Sequence, residues 1–335
     1  MQLGKQSILF EKTPYIRSWA SVVGKKEGEG PLGKFFDKII EDPLFGQESW
    51  ELAESHFQKE ALKLALEKGK LKEEQLRYML AGDLQGQLVG TTFAMKDCSV
   101  PLFGLYGACS TMGEALSLGA MIIAGGFADE LGAVTSSHLG SAEKNFRYPL
   151  EYGTQRPKSA TWTVTGSGAF LLSSSYGNIR IRGITTGVIK DYGMKDAMNM
   201  GAAMAPAAAD VIYQNFQDFD CQPEEYDQII TGDLGVVGSE ILIKLLRDNH
   251  YNIEKLHMDC GIKIYDDEYQ DTHAGGSGCA CSAVTLAGYG MEQLMKRKWT
   301  KILFVPTGAL LSTVSFNEGQ SIPGIAHAVI LERQS

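Results

Sequence analysis

Apolar and polar positions along this chain alternate between a period of two and a period near 3.6, the signature of strands interleaved with helices. Residues 7–10 and 15–23 are short β-rich runs that predict strands, and a polar loop follows over 24–33. From Ser49 the period lengthens. Trp50, Ala53, Phe57, Ala61, Leu64 and Ala65 fall on one face of a helix that Ser49 caps and Gly69 ends. A strand over 77–81 leads into Gly82-Asp83-Leu84, and a helix rich in small residues follows over 86–96. The apolar and aromatic run 100–106 predicts a buried strand. Downstream, Ala115, Leu116, Leu118, Gly119, Met121, Ile122 and Ile123 predict a tightly packed helix closed by Gly125-Gly126. Residues 130–136 predict another strand, with Ser137 and His138 at its C-terminal end. The stretch 139–160 is polar and irregular, and 162–173 closes the series as a strand or hairpin.

The junction Leu105-Tyr106-Gly107-Ala108-Cys109-Ser110-Thr111-Met112-Gly113-Glu114 carries candidate chemistry. Thr111 and Glu114 stand at capping-box spacing, which places a helix N-terminus just after Cys109. A thiol there meets the positive end of the helix dipole and unpaired backbone N–H groups, which favour its thiolate. Strand, glycine turn, nucleophile and helix is also the order in which several enzyme classes present a nucleophile. The plainer alternative is a buried cysteine acting as a small hydrophobe.

The pattern then repeats. Leu80-Ala81-Gly82-Asp83-Leu84 recurs as Ile230-Thr231-Gly232-Asp233-Leu234, and Ala108-Cys109-Ser110 as Ala280-Cys281-Ser282. Val134-Thr135 has its partner in Pro306-Thr307, and Ala169-Phe170-Leu171-Leu172 in Ala328-Val329-Ile330-Leu331. The shared order and nearly constant spacing predict two homologous α/β halves, residues 1–177 and 178–335.

Composition narrows the classes of function. The 335 residues include 38 glycines, which sit at strand ends and suit a tightly packed α/β protein with many turns. A net charge of -9 argues against a general nucleic-acid-binding or acidic-membrane-binding surface, while leaving room for a local positive pocket. No apolar run is long enough for a membrane helix, and the N-terminus lacks the apolar core of a signal peptide, so synthesis and retention in the cytoplasm are expected. The six cysteines show no paired spacing for zinc or a disulfide framework, so reduced thiols and no metal or cofactor are expected.

An internally duplicated α/β chain with a cysteine at a strand-to-helix elbow resembles the thiolase superfamily. The resemblance implies a five-layer αβαβα fold with two mixed sheets, the elbow helices buried between them, and a homodimer. Further runs sharpen it: Ala133-Val134-Thr135-Ser136-Ser137-His138, Ala142-Glu143-Lys144-Asn145-Phe146-Arg147-Tyr148-Pro149, Glu151-Tyr152-Gly153, Trp162-Thr163-Val164-Thr165-Gly166 and Thr272-His273-Ala274-Gly275-Gly276-Ser277-Gly278-Cys279. Together they resemble the stage V sporulation protein AD family of endospore-forming bacteria. That family implies binding of dipicolinic acid, free or as its calcium chelate, and a part in its uptake into the developing spore. It also implies membrane-embedded partners from the same operon and a peripheral place at the spore inner membrane.

Condensing enzymes of the thiolase type set basic side chains against the cysteine, supplied by the second half. In the loop after residues 228–231 this chain offers Asp233 where that chemistry wants an imidazole. His273 precedes the Gly278 turn and is either a base for the site or a solvated loop histidine. Cys109 and His273 are therefore the candidate catalytic pair, vestigial or active. Cys109, Ser110, Ser136, Ser137, His138, Arg147, Asp233 and His273 are the candidate ligand-binding set, since a flat dianion calls for cations, hydroxyls and an aromatic or glycine-lined slot. Three functions stay open: a reused pocket for a small ligand, an acyltransferase with His138 or His273 as base, and a structural subunit whose pocket binds nothing.

Overall fold

Ten strands carry the architecture, in two runs of five. The structure, a computed structural model, describes residues 1–146 and 155–334. The first run is β1 (Tyr15–Gly24), β2 (Met79–Gly82), β3 (Leu102–Gly104), β4 (Glu130–Ser137) and β5 (Gly166–Ser173). The second is β6 (Ile179–Thr185), β7 (Gln228–Thr231), β8 (His257–Asp259), β9 (Lys301–Val305) and β10 (Ala328–Arg333). Hydrogen bonding orders them β3-β2-β4-β5-β1 and β8-β7-β9-β10-β6, the same order twice. Directions repeat too. β2 is parallel to β3 and β4, and β5 is antiparallel to β4 and β1. Likewise β7 is parallel to β8 and β9, and β10 is antiparallel to β9 and β6. The runs join where Tyr15 and Ile16 of β1 pair with Arg180 and Ile179 of β6.

The connecting helices are α1 (Trp50–Gly69), α2 (Val89–Met95), α3 (Thr111–Ala124), α4 (Leu139–Phe146), α5 (Met200–Phe219), α6 (Gly235–Asp248) and α7 (Cys279–Thr285). Strand periodicity sorts them into layers. On β5, Ala169 and Leu171 pack outward with Phe57, Ala61 and Ala65 of α1, while Phe170 and Leu172 pack inward with Met112, Leu116 and Ala120 of α3. On β10, Ala328 and Ile330 pack outward with Ala208, Ile212 and Phe216 of α5, while Val329 and Leu331 face the same inner core. α3 and α7 touch one another and occupy the middle layer between the two runs of strands. The five-layer thiolase-like arrangement is therefore the one observed, and all six cysteines are free thiols.

Three local expectations are corrected. The run 100–106 is not a buried strand: among the described residues β3 pairs with β2 alone, at the edge of the sheet, and Leu102 and Phe103 are exposed. Leu102 and Phe103 therefore mark an outer surface, while Val100 and Leu105 on either side are buried. The loop 24–33 contains a helical turn, Lys25–Gly28, whose Glu27 is buried and accepts hydrogen bonds from Thr165 N (3.0 Å) and Tyr265 Oη. Residues 139–146 are helical, not irregular. The buried face of α4, with Ser141 and Glu143 beside Ala142, is polar and hydrogen-bonded, so no apolar stripe announces it.

The middle layer leaves no spare volume at Gly168 of β5, where an added Cβ would stand 2.7 Å from Ala283 of α7. Gly168→Ala is expected to cost about 1–3 kcal/mol by overpacking. Gly86, with open space at its Cα, is the matched control, and Gly86→Ala should stay within about 0.5 kcal/mol of wild type. Urea unfolding midpoints of the two variants check the difference.

Candidate functional site

Past β3 the chain enters a 3-10 turn, Ala108–Ser110, and then α3. Ala108 adopts φ 51°, so the backbone turns sharply just before Cys109. Ser110 closes the turn twice onto Gly107 O, through its N–H (3.2 Å) and its Oγ (2.6 Å). Thr111 Oγ1 donates to Ala108 O (2.6 Å) and accepts from Gly107 N (3.2 Å). The helix thus starts where expected, but the Thr111–Glu114 capping box does not form. Thr111 is the first helical residue, not the cap, and its hydroxyl is committed to the elbow. Glu114 Oε2 is buried without a hydrogen-bond partner among the described residues, and burial raises its pKa.

Cys109 is buried and lines a cavity of about 480 Å³. Tyr106, Phe146, Met200, Leu310 and Leu311 give it apolar walls, and Asn145, Ser277, Ser312 and Thr313 supply neutral polar groups. Among the described lining residues there is no Lys, Arg or His.

Behind the sulfur stands Asp233, fully buried in the loop between β7 and α6. Its Oδ2 accepts from Gly278 N (3.0 Å), its Oδ1 from Thr307 Oγ1 (2.8 Å), and its own N–H donates to Thr307 Oγ1 (3.1 Å). Burial pushes its carboxyl up to about 6, against the favourable bonds from Cys109, Gly278 and Thr307. Burial, followed by the charge of Asp233, raises the Cys109 thiol well above its ordinary 9.0, and the Gly278 N–H opposes this weakly. The expected stabilised thiolate is therefore corrected. Desolvation and a facing carboxylate outweigh the helix N-terminus. A carboxyl ionising near 6 holds a proton at least about a thousandfold more weakly than such a thiol, so the proton stays on sulfur.

The other candidates divide. Ser110 lies in the elbow but spends its hydroxyl on Gly107 O. Ser136 donates to Glu54 Oε1 (2.9 Å) and accepts from Gln58 Nε2 (2.8 Å), and Ser137 donates to Val164 O (2.7 Å) and accepts from Ala280 N (3.1 Å). Both serines thus stitch elements together away from the cavity wall. His138 donates from Nε2 to Pro43 O (2.7 Å), accepts at Nδ1 from Gly140 N (3.0 Å) and stacks on Trp50 at 5.3 Å. Both ring nitrogens are occupied and burial lowers its pKa, so it is a neutral structural imidazole. His273 is bound through Nδ1 to Pro157 O (2.9 Å) and through Nε2 to Asp271 (3.0 Å), and its ring does not line the cavity. Arg147, with Tyr148 and Tyr152, lies outside the described residues. Cys281 does not stand opposite Cys109. Its N–H closes onto Gly278 O as that of Ser110 closes onto Gly107 O, while the sulfur nearest the first elbow is that of Cys279, 3.0 Å from Ala108 O.

The sequence reading missed the 309–313 wall, Met200 and a buried acid. Glu54 lies, by the helical period, on the same face of α1 as Trp50, Phe57 and Ala61, where it accepts from Gln85 Nε2 (2.6 Å), Ser136 and Ser141 and is raised to about 8 by burial and by Asp83. The spacing places it on the buried face, but its residue type gives no sign of burial. Asn145, Phe146 and Ser277, by contrast, lay inside the runs that carried the family resemblance. Among the described residues, no group of three or more His, Cys, Asp or Glu side chains is placed to hold a metal ion, and no helix is long and apolar enough to cross a membrane.

Comparison with known proteins bears on the family and the fold. The model of the family described as stage V sporulation protein AD matches residues 4–332. Stage V sporulation protein AD of Bacillus subtilis (strain 168) is 43% identical over 330 residues, spanning 98% of this chain and 97% of that protein. Among solved structures, 3-oxoacyl-(acyl-carrier-protein) synthase III from Aquifex aeolicus VF5 superposes with a TM-score of 0.57 at 15% identity, covering 95% of this chain and 99% of that one. Cerulenin-bound OleA from Xanthomonas campestris superposes with a TM-score of 0.61 at 12% identity, covering 97% and 100%. At such identities these structures share the thiolase-like fold and no more is inferred from them. The sequence matches carry the assignment: the chain belongs to the stage V sporulation protein AD family.

Proposed function

We propose that the chain binds dipicolinate in the Cys109 cavity and takes part in its uptake into the developing spore, without acyl transfer. The observation that carries the reading is the Cys109–Asp233 pair. Asp233 occupies the loop from which the thiolase resemblance would draw a base, and it leaves the thiol protonated. A protonated, buried sulfur is a poor nucleophile and a good apolar contact. The cavity volume is ample for a single pyridine ring with two carboxylates, free or as the calcium chelate. Tyr106 and Phe146 offer ring faces, and Asn145, Ser277, Ser312 and Thr313 offer neutral donors. The charge of the ligand calls for a cation, and Arg147, next in the chain after Phe146, is the residue we assign to it. We further propose that the protein works as a homodimer beside membrane-embedded partners, the exposed outer edge of β3 meeting its twofold mate.

Calorimetric titration with dipicolinate separates binding from chemistry. Cys109→Ala should weaken binding by about 1 kcal/mol, or fivefold, the cost of one contact, and Cys109→Trp should abolish it by filling the cavity. Arg147→Ala should cost about 1.5–3 kcal/mol, the worth of a charged hydrogen bond. Acylation of Cys109 by a thioester, with turnover lost in Cys109→Ala, would instead establish an acyltransferase and end this reading.

Asp233 sets a pH dependence with a definite sign. Its carboxyl is raised in the folded chain, so stability is fullest below the ordinary value of 3.8 and declines as pH rises to about 6. Affinity for the dianion should fall over the upper part of the same window, as a negative charge appears behind the sulfur. Asp233→Asn should flatten both profiles, read by urea midpoints and by titration at stepped pH.

Light scattering tests the edge. Phe103→Asp is expected to convert a dimer to a folded monomer, and a wild-type monomer at micromolar concentration would refute the assignment of β3.

A further inference from the structure

The negative net charge conceals a basic face. A second cleft, of about 420 Å³, shares no lining residue with the Cys109 cavity and is walled by Lys34, Lys296 and Lys298 around Phe35 and Tyr289. Its construction begins in α7, which runs on through a π-helical turn, Leu286–Gly290, that carries Tyr289. Such turns are rare and occur often at functional sites. The Tyr289 ring meets Phe35 edge-on at 5.1 Å and Trp299 at 5.6 Å. Lys34 Nζ stands 5.2 Å over Phe35, and Lys263 Nζ 5.8 Å over Tyr289. The following helix, Met291–Met295, is ended by Arg297 at φ 59°, and backbone bonds from Arg297 N to Leu294 O (3.1 Å) and from Lys298 N to Gln293 O (3.0 Å) fix the turn. Lys296, Arg297 and Lys298 are consecutive and exposed on it. Among the described residues the one acid lining the cleft, Glu292, is engaged by Lys296.

We propose that this cleft is a docking surface for the headgroups of an anionic phospholipid membrane. It goes beyond the dipicolinate reading and does not depend on what the Cys109 cavity holds. The ammonium groups of Lys34 and Lys263 stand over aromatic rings, and cations interleaved with aromatic side chains are the composition that suits a charged water–hydrocarbon boundary. The rings of Phe35 and Tyr289, with Trp299 packed edge-on against Tyr289, supply an apolar floor that a free phosphate ion has no use for. Carboxylates elsewhere do not cancel the attraction, because charge is screened within about 8 Å at physiological salt while the basic turn acts at contact.

Co-sedimentation of the full chain with vesicles tests this. Binding is expected to phosphatidylcholine vesicles in which a third of the lipid is phosphatidylglycerol, weakening with salt, and not to phosphatidylcholine alone. Each cation removed from the surface should cost about fivefold in partitioning, so the triple variant Lys296→Glu, Arg297→Glu, Lys298→Glu should lose at least about a hundredfold. Lys298→Glu alone, a milder change, should lose about fivefold or more. Lys244→Glu, on exposed α6, should match wild type. Tyr289→Ser should weaken binding severalfold with an unchanged salt slope. The proposal is overturned by equal binding to neutral vesicles, by no binding to anionic ones, or by a control variant as impaired as the triple. Displacement by millimolar inorganic phosphate at constant ionic strength would reassign the cleft to a free anion, and retention on duplex DNA without vesicle binding would reassign it to nucleic acid.

Discussion

The buried carboxylate of Asp233 is the constraint on which the rest of the middle layer depends. It gathers the N–H of Gly278 at the second elbow, the hydroxyl of Thr307 after β9 and the thiol of Cys109 at the first elbow. Burying a charge with no cation beside it is costly, and hydrogen bonds offset part of that cost. The raised pKa is the remainder, expressed as a proton held more tightly. Its counterpart in the duplicated tripeptide behaves differently. Asp83 accepts from Gln85 N and Thr91 N, both at 2.7 Å, and so serves its own loop and the start of α2. One duplicated motif has thus become local scaffolding, and the other a bond between halves.

This difference bears on reactivity. A nucleophilic elbow needs a sulfur that loses its proton and a neighbour that takes it. Here the neighbour is itself anionic when ionised, and the two candidate histidines are spent elsewhere: His138 on Pro43 and Gly140, His273 on Pro157 and Asp271. The elbow geometry survives as a way of making a hole. The turn at Ala108 pulls the backbone aside, and the space between Tyr106 and the 309–313 wall remains open. In this chain the turn that carries the cysteine is the wall of a cavity whose described lining holds no basic group.

Much of the fold was legible because strand and helix periods are written in apolar residues. Phe170 and Leu172 facing one way and Ala169 and Leu171 the other could be anticipated from alternation, and the internal repeat foretold that β10 would copy β5. Edge position was not legible, since the apolar composition of β3 says nothing about whether a neighbour covers it. Nor was the polar interior. Glu54, Gln58 and Glu143 are polar residue types that hydropathy alone assigns to solvent, and they are buried because other polar groups meet them there. The position of Asp233 could be read from the repeat, but its effect on Cys109 could not. A pKa depends on burial and on distances across the chain, and local spacing encodes neither.

The interleaving of the two halves also dictates when this protein can be completed during synthesis. Gly113 of α3 packs against Pro306 and the carbonyl of His327, and the wall over Cys109 is drawn from 309–313. Nearly all of the chain must therefore emerge from the ribosome before the first elbow acquires its final neighbours. Until then α3 exposes a face built for burial, and strands of the first half that are otherwise complete wait on residues 306–327. Domains that fold as they emerge escape such a delay. A chain truncated near its C-terminus would thus lose the centre of its first half, though every residue of that half had been made.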